Sequence, residues 1–184
     1  SLNLKEGEEV IVPIQSFIAD GMCVTSQKGT IVFANINPET FCLDLKEIKK
    51  LYSKKTRAVI LVYFGGYMPT DTLAIKNFCK QNNILLVEDC AHAIGSEFRG
   101  KQAGSIGDVG CYSFFATKTI TTAEGGMLTT NNKKIYKLAL SLRERGRDWD
   151  NNKFEIYKFD WRTCRVPEFS AVMGINQFSK IKKI

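Results

Sequence analysis

Lys118 is the residue of this sequence whose surroundings most strongly indicate chemistry. It lies five residues after Ser113, and an acidic turn with two glycines follows it. The residues just before it include Phe114, Phe115 and Ala116. An amine among apolar side chains loses hydration, which lowers its pKa and makes it a candidate for a Schiff base with a carbonyl compound. The alternative is a charged lysine at a solvated strand end, and this stretch alone favours neither interpretation.

A second group of polar residues follows an apolar stretch upstream. Leucine and valine at positions 85–87 predict a buried strand, which leads to Asp89 and to His92, the single histidine of the chain. Open α/β sheets bind ligands at the carboxyl ends of their strands, where these two residues are expected to lie. A lysine amine, a carboxylate for a protonated pyridine nitrogen and a serine hydroxyl for a phosphate are what pyridoxal phosphate requires. Lys118, Asp89 and Ser113 supply this set.

Three motifs between residues 88 and 126 resemble those of the DegT-type nucleotide-sugar aminotransferases, a branch of the fold-type I, aspartate-aminotransferase-like pyridoxal phosphate enzymes. The family motifs read Glu-Asp-x-Ala-His/Gln-x-x-Gly, then Gly-Asp-x-Gly-x-x-Ser-Phe-x-x-x-Lys, then Gly/Ala-Glu-Gly-Gly. The matching positions are Glu88, Asp89, Ala91, His92, Gly95, Gly107, Asp108, Gly110, Ser113, Phe114, Lys118, Ala123, Glu124, Gly125 and Gly126. Three linked motifs in the right order are a specific signal, whereas any one alone would be weak.

The rest of the chain predicts alternating strands and helices. Strands are predicted at 10–13, 30–34, 58–62 and 85–89, around Ser113 and at 127–130; helices are predicted through Ile18 and Met22, at 45–51, after a cap at Thr70, over 135–142 and from Glu168 onward. This alternation indicates a three-layer α/β/α fold with a mostly parallel sheet. The resemblance implies that residues 1–184 are the large, cofactor-binding domain of a fold-type I enzyme. It also implies a domain incomplete at both ends, without the family's N-terminal phosphate-loop segment and C-terminal small domain.

The resemblance assigns roles to five residues. Lys118 is implied to hold pyridoxal phosphate as a Schiff base and to shuttle a proton between the substrate carbon and the cofactor's C4′ carbon. Asp89 is implied to pair with the pyridinium nitrogen. Phe17 is implied to stack on the cofactor ring, His92 to lie near its phenolic oxygen and Ser113 to donate to its phosphate. The structural alternatives are a helix N-cap for Asp89, a core position for Phe17 and His92, and a local backbone hydrogen bond for Ser113.

Two other carboxylates lie within the motifs. Asp108 competes with Asp89 for the pyridine nitrogen, but its flanking glycines favour a turn. Glu124, which precedes two glycines, is expected either to shape the active-site turn or to be a solvated carboxylate.

A fourth motif, Asn-x-Arg-x-x-Glu, is only partly present near the end of the chain. Arg165 and Glu168 match it, but Thr163 replaces the asparagine that reaches the phosphate of the partner subunit's cofactor in the family. An alternative alignment uses Asp160 and an insertion. Both alignments leave this contact open, while the resemblance still implies a homodimer whose active sites lie between two chains.

Composition excludes several other kinds of protein. The chain has 184 residues, of which 44% are hydrophobic, no membrane-spanning run and no signal-peptide pattern at its start, so a cytoplasmic location is expected. Its formal net charge is +7, but the lysines are scattered and not interleaved with aromatic residues, so no nucleic-acid or membrane partner is expected. The six cysteines lack metal-binding spacing and are expected to be reduced core residues, so no metal site is expected.

The resemblance implies a pyridoxal-phosphate-dependent aminotransferase that moves an amino group from an amino acid, with glutamate as the expected donor, to a keto-sugar nucleotide. Such an enzyme would serve sugar biosynthesis, for example for cell-surface polysaccharides. Some family members are dehydratases with histidine in place of the lysine, and Lys118 argues against that branch. The alternatives are a catalytically incomplete fragment or a non-catalytic binding or regulatory protein. A Rossmann-type nucleotide binder is disfavoured because no G-x-G-x-x-G turn follows the first strand.

Overall fold

A computed structural model of the chain describes residues 4–148 and 163–183. The strands in these ranges are β1 (Glu9–Pro13), β2 (Thr30–Ala34), β3 (Thr56–Val62), β4 (Leu85–Asp89), β5 (Glu97–Phe98), β6 (Lys101–Gln102), β7 (Val109–Ser113) and β8 (Gly126–Thr129). The α-helices are α1 (Ile18–Thr25), α2 (Leu45–Leu51), α3 (Thr72–Gln81), α4 (Lys133–Arg143) and α5 (Glu168–Phe178). Short 3-10 helices lie at Phe64–Gly66 and Ile181–Lys183. The alternation predicted from the sequence is therefore confirmed over these ranges.

Six of the strands form one mostly parallel sheet in the order β2-β1-β3-β4-β7-β8. The first five strands in this order pair in parallel, and β8 is antiparallel to β7. The short strands β5 and β6 form a separate antiparallel ribbon in the connection between β4 and β7. Because β2 and β3 lie on opposite sides of β1, the chain changes direction along the sheet there, and this is where such folds open a crevice for ligands.

The sheet is covered by helices on both faces, as predicted. One face packs against α2 and α3 in a cluster that includes Ile11, Val59, Leu61, Leu86, Ile48, Ile75 and Cys79. The other face packs against α1 in a smaller cluster of Val10, Val12, Ala58, Ile60, Val62 and Val24. Successive strand residues alternate between the two clusters because side chains of a strand point to opposite faces.

Helix α5 supports the turn that follows Lys118. Its residue Gly174 is buried, and a Cβ atom there would lie 3.1 Å from the Thr122 methyl group, so the helix backbone approaches that turn closely. The ring of Phe178 packs edge-on against Phe114, with ring centroids 5.8 Å apart. The opposite side of α5 stays exposed, with Phe169 68% and Ile175 74% accessible.

Two predictions about local structure are wrong. Thr70 does not cap α3: Asp71 is the N-cap residue, and its side chain accepts a hydrogen bond from Leu45 N at 2.6 Å instead of capping its own helix. The six free cysteines are not all core residues, because Cys23 and Cys164 are exposed. The hydrogen bond between Leu45 and Asp71 joins segments 26 residues apart, which local patterns do not encode. In the ranges described, no helix combines the length and the apolar character that crossing a membrane requires.

Candidate active site

The carboxyl ends of β3, β4 and β7 lie side by side at one edge of the sheet. Asp89, the last residue of β4, pairs in register with Val62 of β3 and with Cys111 of β7. Hydrogen bonds continue this connection beyond the strands, because Tyr63 N donates to Asp89 O at 3.1 Å and Cys90 N donates to Cys111 O at 2.8 Å. The Asp89 backbone is therefore held from both sides at this edge.

The side chain of Asp89 is half-buried and is not a helix cap. Its Oδ1 accepts a hydrogen bond from Ala91 N at 2.8 Å, and residues 90–95 form turns without a helix. The N-cap alternative is therefore wrong. A carboxylate with one backbone donor retains acceptor capacity for a ligand.

Asp20, in the first turn of α1, is a site residue that the sequence reasoning missed. Its carboxyl group lies within hydrogen-bonding distance of Asp89, and the Ser16 hydroxyl donates to its Oδ2. Burial raises the pKa of Asp20 to about 6; the Ser16 hydrogen bond opposes this rise and the Asp89 carboxylate adds to it. The signal was its spacing: Asp20 lies three residues after Phe17, so helix periodicity places the two on the same face.

Phe17 is a surface residue at the start of α1. It occupies the N-cap position with an extended backbone, and 76% of the residue is exposed, so the core alternative is wrong. A cavity of about 300 Å³ opens beside it, lined also by Ser16, Ile18 and Met22. An exposed ring next to a cavity is available to cover a planar ligand.

His92 is also exposed, so its core alternative is wrong as well. Its Nδ1 accepts a hydrogen bond from Gly65 N at 3.3 Å, and its ring packs edge-on against Phe64 at 5.9 Å between centroids. A Cβ atom at Gly66, where φ is +84°, would lie 2.9 Å from His92 O. The loop after β3 therefore approaches the His92 backbone through glycines that have no side chain to interfere.

The side chain of Lys118 is half-buried in the turn after β7. Its predicted apolar surroundings are only partly present, because Phe114 is buried whereas Phe115 is 45% exposed and Ala116 is exposed. Its backbone N–H donates to Phe115 O at 2.9 Å, which closes the turn. Within the described ranges its amine makes no hydrogen bond or ion pair, so it is available to a ligand.

Ser113 lies at the end of β7, two residues beyond the partner of Asp89 in the sheet. Its Oγ accepts a hydrogen bond from Phe115 N at 3.3 Å, as the local-backbone alternative predicted. The hydroxyl proton is donated to no residue in the part of the chain that the structure describes. Ser113 can therefore still donate to an anion.

The turn between Lys118 and β8 is closed by its own hydrogen bonds. Thr122 N donates to Phe114 O at 2.9 Å, and Phe114 N donates to Gly125 O at 2.9 Å. The Thr122 hydroxyl donates to Glu124 O at 2.7 Å, while the Glu124 side chain is exposed. The turn holds the segment around Lys118 through its backbone.

Glu88 matches the first motif, but the sequence did not predict its structural role. It is completely buried and accepts hydrogen bonds from the Tyr63 hydroxyl at 2.7 Å, from Gly104 N at 3.0 Å and from Ile106 N at 2.9 Å, as well as from Gly107 N. These donors fix the 103–107 loop against β4. They also fix the strand that ends in the next residue, Asp89.

Asp108, the competing carboxylate, is structural. Its side chain accepts a hydrogen bond from Leu86 N at 2.8 Å and forms an ion pair with Lys76 at 2.9 Å. Asp108 lies in a bend just before β7, and its side chain is engaged in structural contacts. Asp89 is the carboxylate that remains for a ligand.

The partial motif near the end of the chain also forms a structural contact. Arg165 pairs with Glu144, whose side chain is 7% exposed, and its Nε lies 2.7 Å from Glu144 Oε1. Thr163 is exposed and forms an isolated β-bridge with Glu144, while Asp160 lies outside the described residues. The assignment of Thr163 or Asp160 to the cross-subunit position stays a prediction.

The functional groups at this edge fit pyridoxal phosphate. The half-buried carboxylate of Asp89 suits a protonated pyridine nitrogen, and Lys118 has an amine without a partner in the described ranges. Ser113 retains a hydroxyl proton for a phosphate, and Phe17 exposes a ring beside a cavity. Asp89 and Ser113 end strands of the sheet, and Phe17 and Lys118 follow strands of the same sheet.

Comparisons with known proteins agree with this assignment. A sequence model of the DegT/DnrJ/EryC1/StrS aminotransferase family matches residues 1–184. GDP-perosamine synthase of Escherichia coli O157:H7 is 38% identical over 185 residues, which cover 98% of this chain and 49% of that protein. The chain thus spans about half the length of the curated relatives it matches.

Solved structures show the same relationship. The aminotransferase TlmJ from Streptoalloteichus hindustanus superposes with a TM-score of 0.92 at 29% identity, over 99% of this chain and 49% of that one. The PLP-form of the putative sugar aminotransferase Spr1654 from Streptococcus pneumoniae superposes with a TM-score of 0.84 at 27% identity, over 100% of this chain and 51% of that one. These likenesses confirm the predicted α/β fold with its mostly parallel sheet.

Proposed function

This chain belongs to the DegT/DnrJ/EryC1/StrS aminotransferase family, and we propose that it is the large-domain part of an enzyme that transfers an amino group from an amino acid to a keto-sugar nucleotide. Enzymes of this family depend on pyridoxal phosphate, the cofactor expected from the sequence. We propose glutamate as the amino donor and a homodimer as the working assembly. The name of the perosamine synthase relative, whose product is a GDP-linked sugar, supports the substrate class.

The observation that carries the proposal is the set of functional groups at one sheet edge. Asp89 and Cys111 pair in register, and the chain continues from Cys111 through Ser113 to Lys118. Three groups with different chemistry are thus supplied by two adjacent strands. A non-catalytic binding protein would not need an unpaired amine at this position.

Each residue has a defined task in this proposal. Bound pyridoxal phosphate supplies an electron sink and carries the amino group between the two substrates. Asp89 would accept a hydrogen bond from the protonated pyridine nitrogen and keep it charged. Lys118 would hold the cofactor covalently, and its freed amine would move the proton between the substrate carbon that bears the amino group and the C4′ carbon of the cofactor.

The other site residues bind and orient the cofactor. The Ser113 hydroxyl donates to the phosphate, a charge-assisted hydrogen bond. Phe17 would cover one face of the ring with its exposed side chain, and His92 would lie near the phenolic oxygen. The hydrogen bond from Gly65 N and the ring of Phe64 hold the His92 side chain in place.

The test is covalent labelling at Lys118. The purified chain is mixed with pyridoxal phosphate, its visible absorption is recorded, and the mixture is then reduced with borohydride and mapped by peptide mass spectrometry. We expect a reducible absorption band and a label on Lys118, both of which are lost in Lys118→Ala. Lys101→Ala, which removes an exposed lysine of the β5–β6 ribbon, should retain both. A label spread over surface lysines, or a band that persists in Lys118→Ala, would contradict the proposal.

A further inference from the structure

Two acidic side chains meet at the pyridine-nitrogen end of the proposed site. Asp20 comes from the first turn of α1 and Asp89 from the end of β4, and their carboxyl groups lie within hydrogen-bonding distance. Each carboxyl group also accepts one hydrogen bond from another group, the Ser16 hydroxyl for Asp20 and Ala91 N for Asp89. A proton on one of them is what turns their repulsion into a hydrogen bond.

The surroundings indicate which carboxyl group holds this proton. Burial disfavours the ionised form of Asp20 and raises its pKa to about 6, which favours Asp20 as the holder of the proton. Among the described residues, the thiols of Cys23 and Cys111 also face the pair, and burial raises the pKa of both, that of Cys111 to about 11. Among the described residues, no cationic side chain lowers the pKa of Asp20.

We infer that Asp20 is a second carboxyl group of the cofactor site, a positioning residue that shares one proton with Asp89 and sets the negative charge presented to the pyridine nitrogen. The inference rests on the proposed function for the identity of the ligand, whereas the shared proton is a property of the chain itself. With the proton present, the pair carries one negative charge; without it, the pair carries two. A cationic ring bound against Asp89 favours the second state, so cofactor binding releases a proton from Asp20.

The first experiment measures the shared proton without cofactor. In the folded chain the pKa of Asp20 lies above its ordinary value of 3.8, so the folded state binds more protons than the unfolded state between about pH 4 and 6. The contribution of Asp20 to stability is therefore present below pH 4 and is lost as the pH rises through about 6. We expect Asp20→Asn to gain about 3–6 °C in Tm relative to wild type between pH 4.5 and 7.5.

A matched control separates this effect from a general change in charge. Glu39→Gln neutralises an exposed carboxylate and should leave the pH profile of Tm parallel to that of wild type. Parallel profiles for Asp20→Asn and wild type would overturn the inference. If Asp20→Asn does not fold, Ser16→Ala serves instead: it removes the donor that stabilises ionised Asp20, so the loss of stability should move to higher pH.

The second experiment connects the pair to the ligand. Affinity for pyridoxal phosphate is measured by fluorescence titration from pH 5 to 8 in wild type and Asp20→Asn, and the ratio of the two cancels the titration of the cofactor itself. We expect wild type to gain affinity relative to Asp20→Asn by about tenfold across pH 6. A constant ratio would overturn the role of Asp20 toward the cofactor. A difference in the Tm profiles without cofactor binding at any pH would instead contradict the proposed function and leave the shared proton established.

Discussion

Glu88 and Asp89 are consecutive residues of β4, and their carboxylates have opposite environments. Side chains that follow each other in a strand point to opposite faces of the sheet. Glu88 is completely buried and accepts four hydrogen bonds from the Tyr63 hydroxyl and the 103–107 loop. Asp89 is half-buried, with one backbone donor and a second carboxyl group, that of Asp20, beside it.

The difference separates a structural carboxylate from the one that we propose binds the cofactor. The acceptor positions of Glu88 are filled by neutral donors of the fold, so it has no capacity for a ligand and holds the loop and the strand in place. Asp89 retains acceptor capacity at the edge where a ligand can reach it. The buried network of Glu88 thus positions Asp89, because the two share one strand.

The largest effect is expected when the structural carboxylate is removed. Glu88→Ala leaves three backbone N–H groups and the Tyr63 hydroxyl without their acceptor. Each buried donor left unpaired costs about 1–3 kcal/mol, so we expect a loss of at least about 3 kcal/mol in the free energy of unfolding, measured by urea denaturation. Glu39→Gln, on the surface, should stay within about 0.5 kcal/mol. A similarly small change in Glu88→Ala would show that the loop does not depend on this carboxylate.

The sequence predicts the environments of Glu88 and Asp89 only where the residues that contact them are close in sequence. The strand before Asp89 and its place at the sheet edge follow from a local apolar run, because buried parallel strands are apolar on both faces. The burial of Glu88 was not predicted, since its backbone donors come from a loop 16 to 19 residues later. The contact of Asp20 with Asp89 likewise joins two segments whose packing no local pattern encodes.

Side-chain exposure was equally difficult to predict from composition. Phe17 and His92 are both residue types that are often found in protein cores, and the motif alone could not exclude that position. The structure shows both on the surface, where their roles toward a ligand remain predictions. Lys118 was expected to be buried by three apolar neighbours, but two of these neighbours are themselves exposed.

A smaller effect on stability is expected when Asp89, the proposed cofactor-binding carboxylate, is neutralised. Asp89→Asn keeps an oxygen for Ala91 N and removes the charge that opposes ionisation of Asp20. The free energy of unfolding at pH 7 should therefore change by less than about 1 kcal/mol. Affinity for pyridoxal phosphate should nevertheless fall at least about tenfold, because a hydrogen bond to a charged group is lost.

Urea denaturation and the fluorescence titration, performed on the same preparation, measure these two quantities. Asp89→Asn should lower the affinity for pyridoxal phosphate far more than the free energy of unfolding. Glu88→Ala should act mainly on the free energy of unfolding. Destabilisation of Asp89→Asn to the same degree as Glu88→Ala would remove the distinction between the two carboxylates.

The smallest effect on stability is expected at a third carboxylate, Glu144. It is buried like Glu88, but its partner is the exposed Arg165, whose hydrogen bond holds the pKa of Glu144 below its ordinary value of 4.5. A lowered pKa in the folded state means that the stabilisation is present above pH 4.5 and is lost as the pH falls through the folded-state value. Arg165→Met should therefore lower Tm at pH 7 but converge with wild type in the acid range. As a control, Lys50→Met breaks an exposed ion pair with Glu47 and should leave Tm unchanged at both neutral and acid pH. A decrease in Tm of Arg165→Met that is the same at every pH would mean that Arg165 acts by packing rather than by charge.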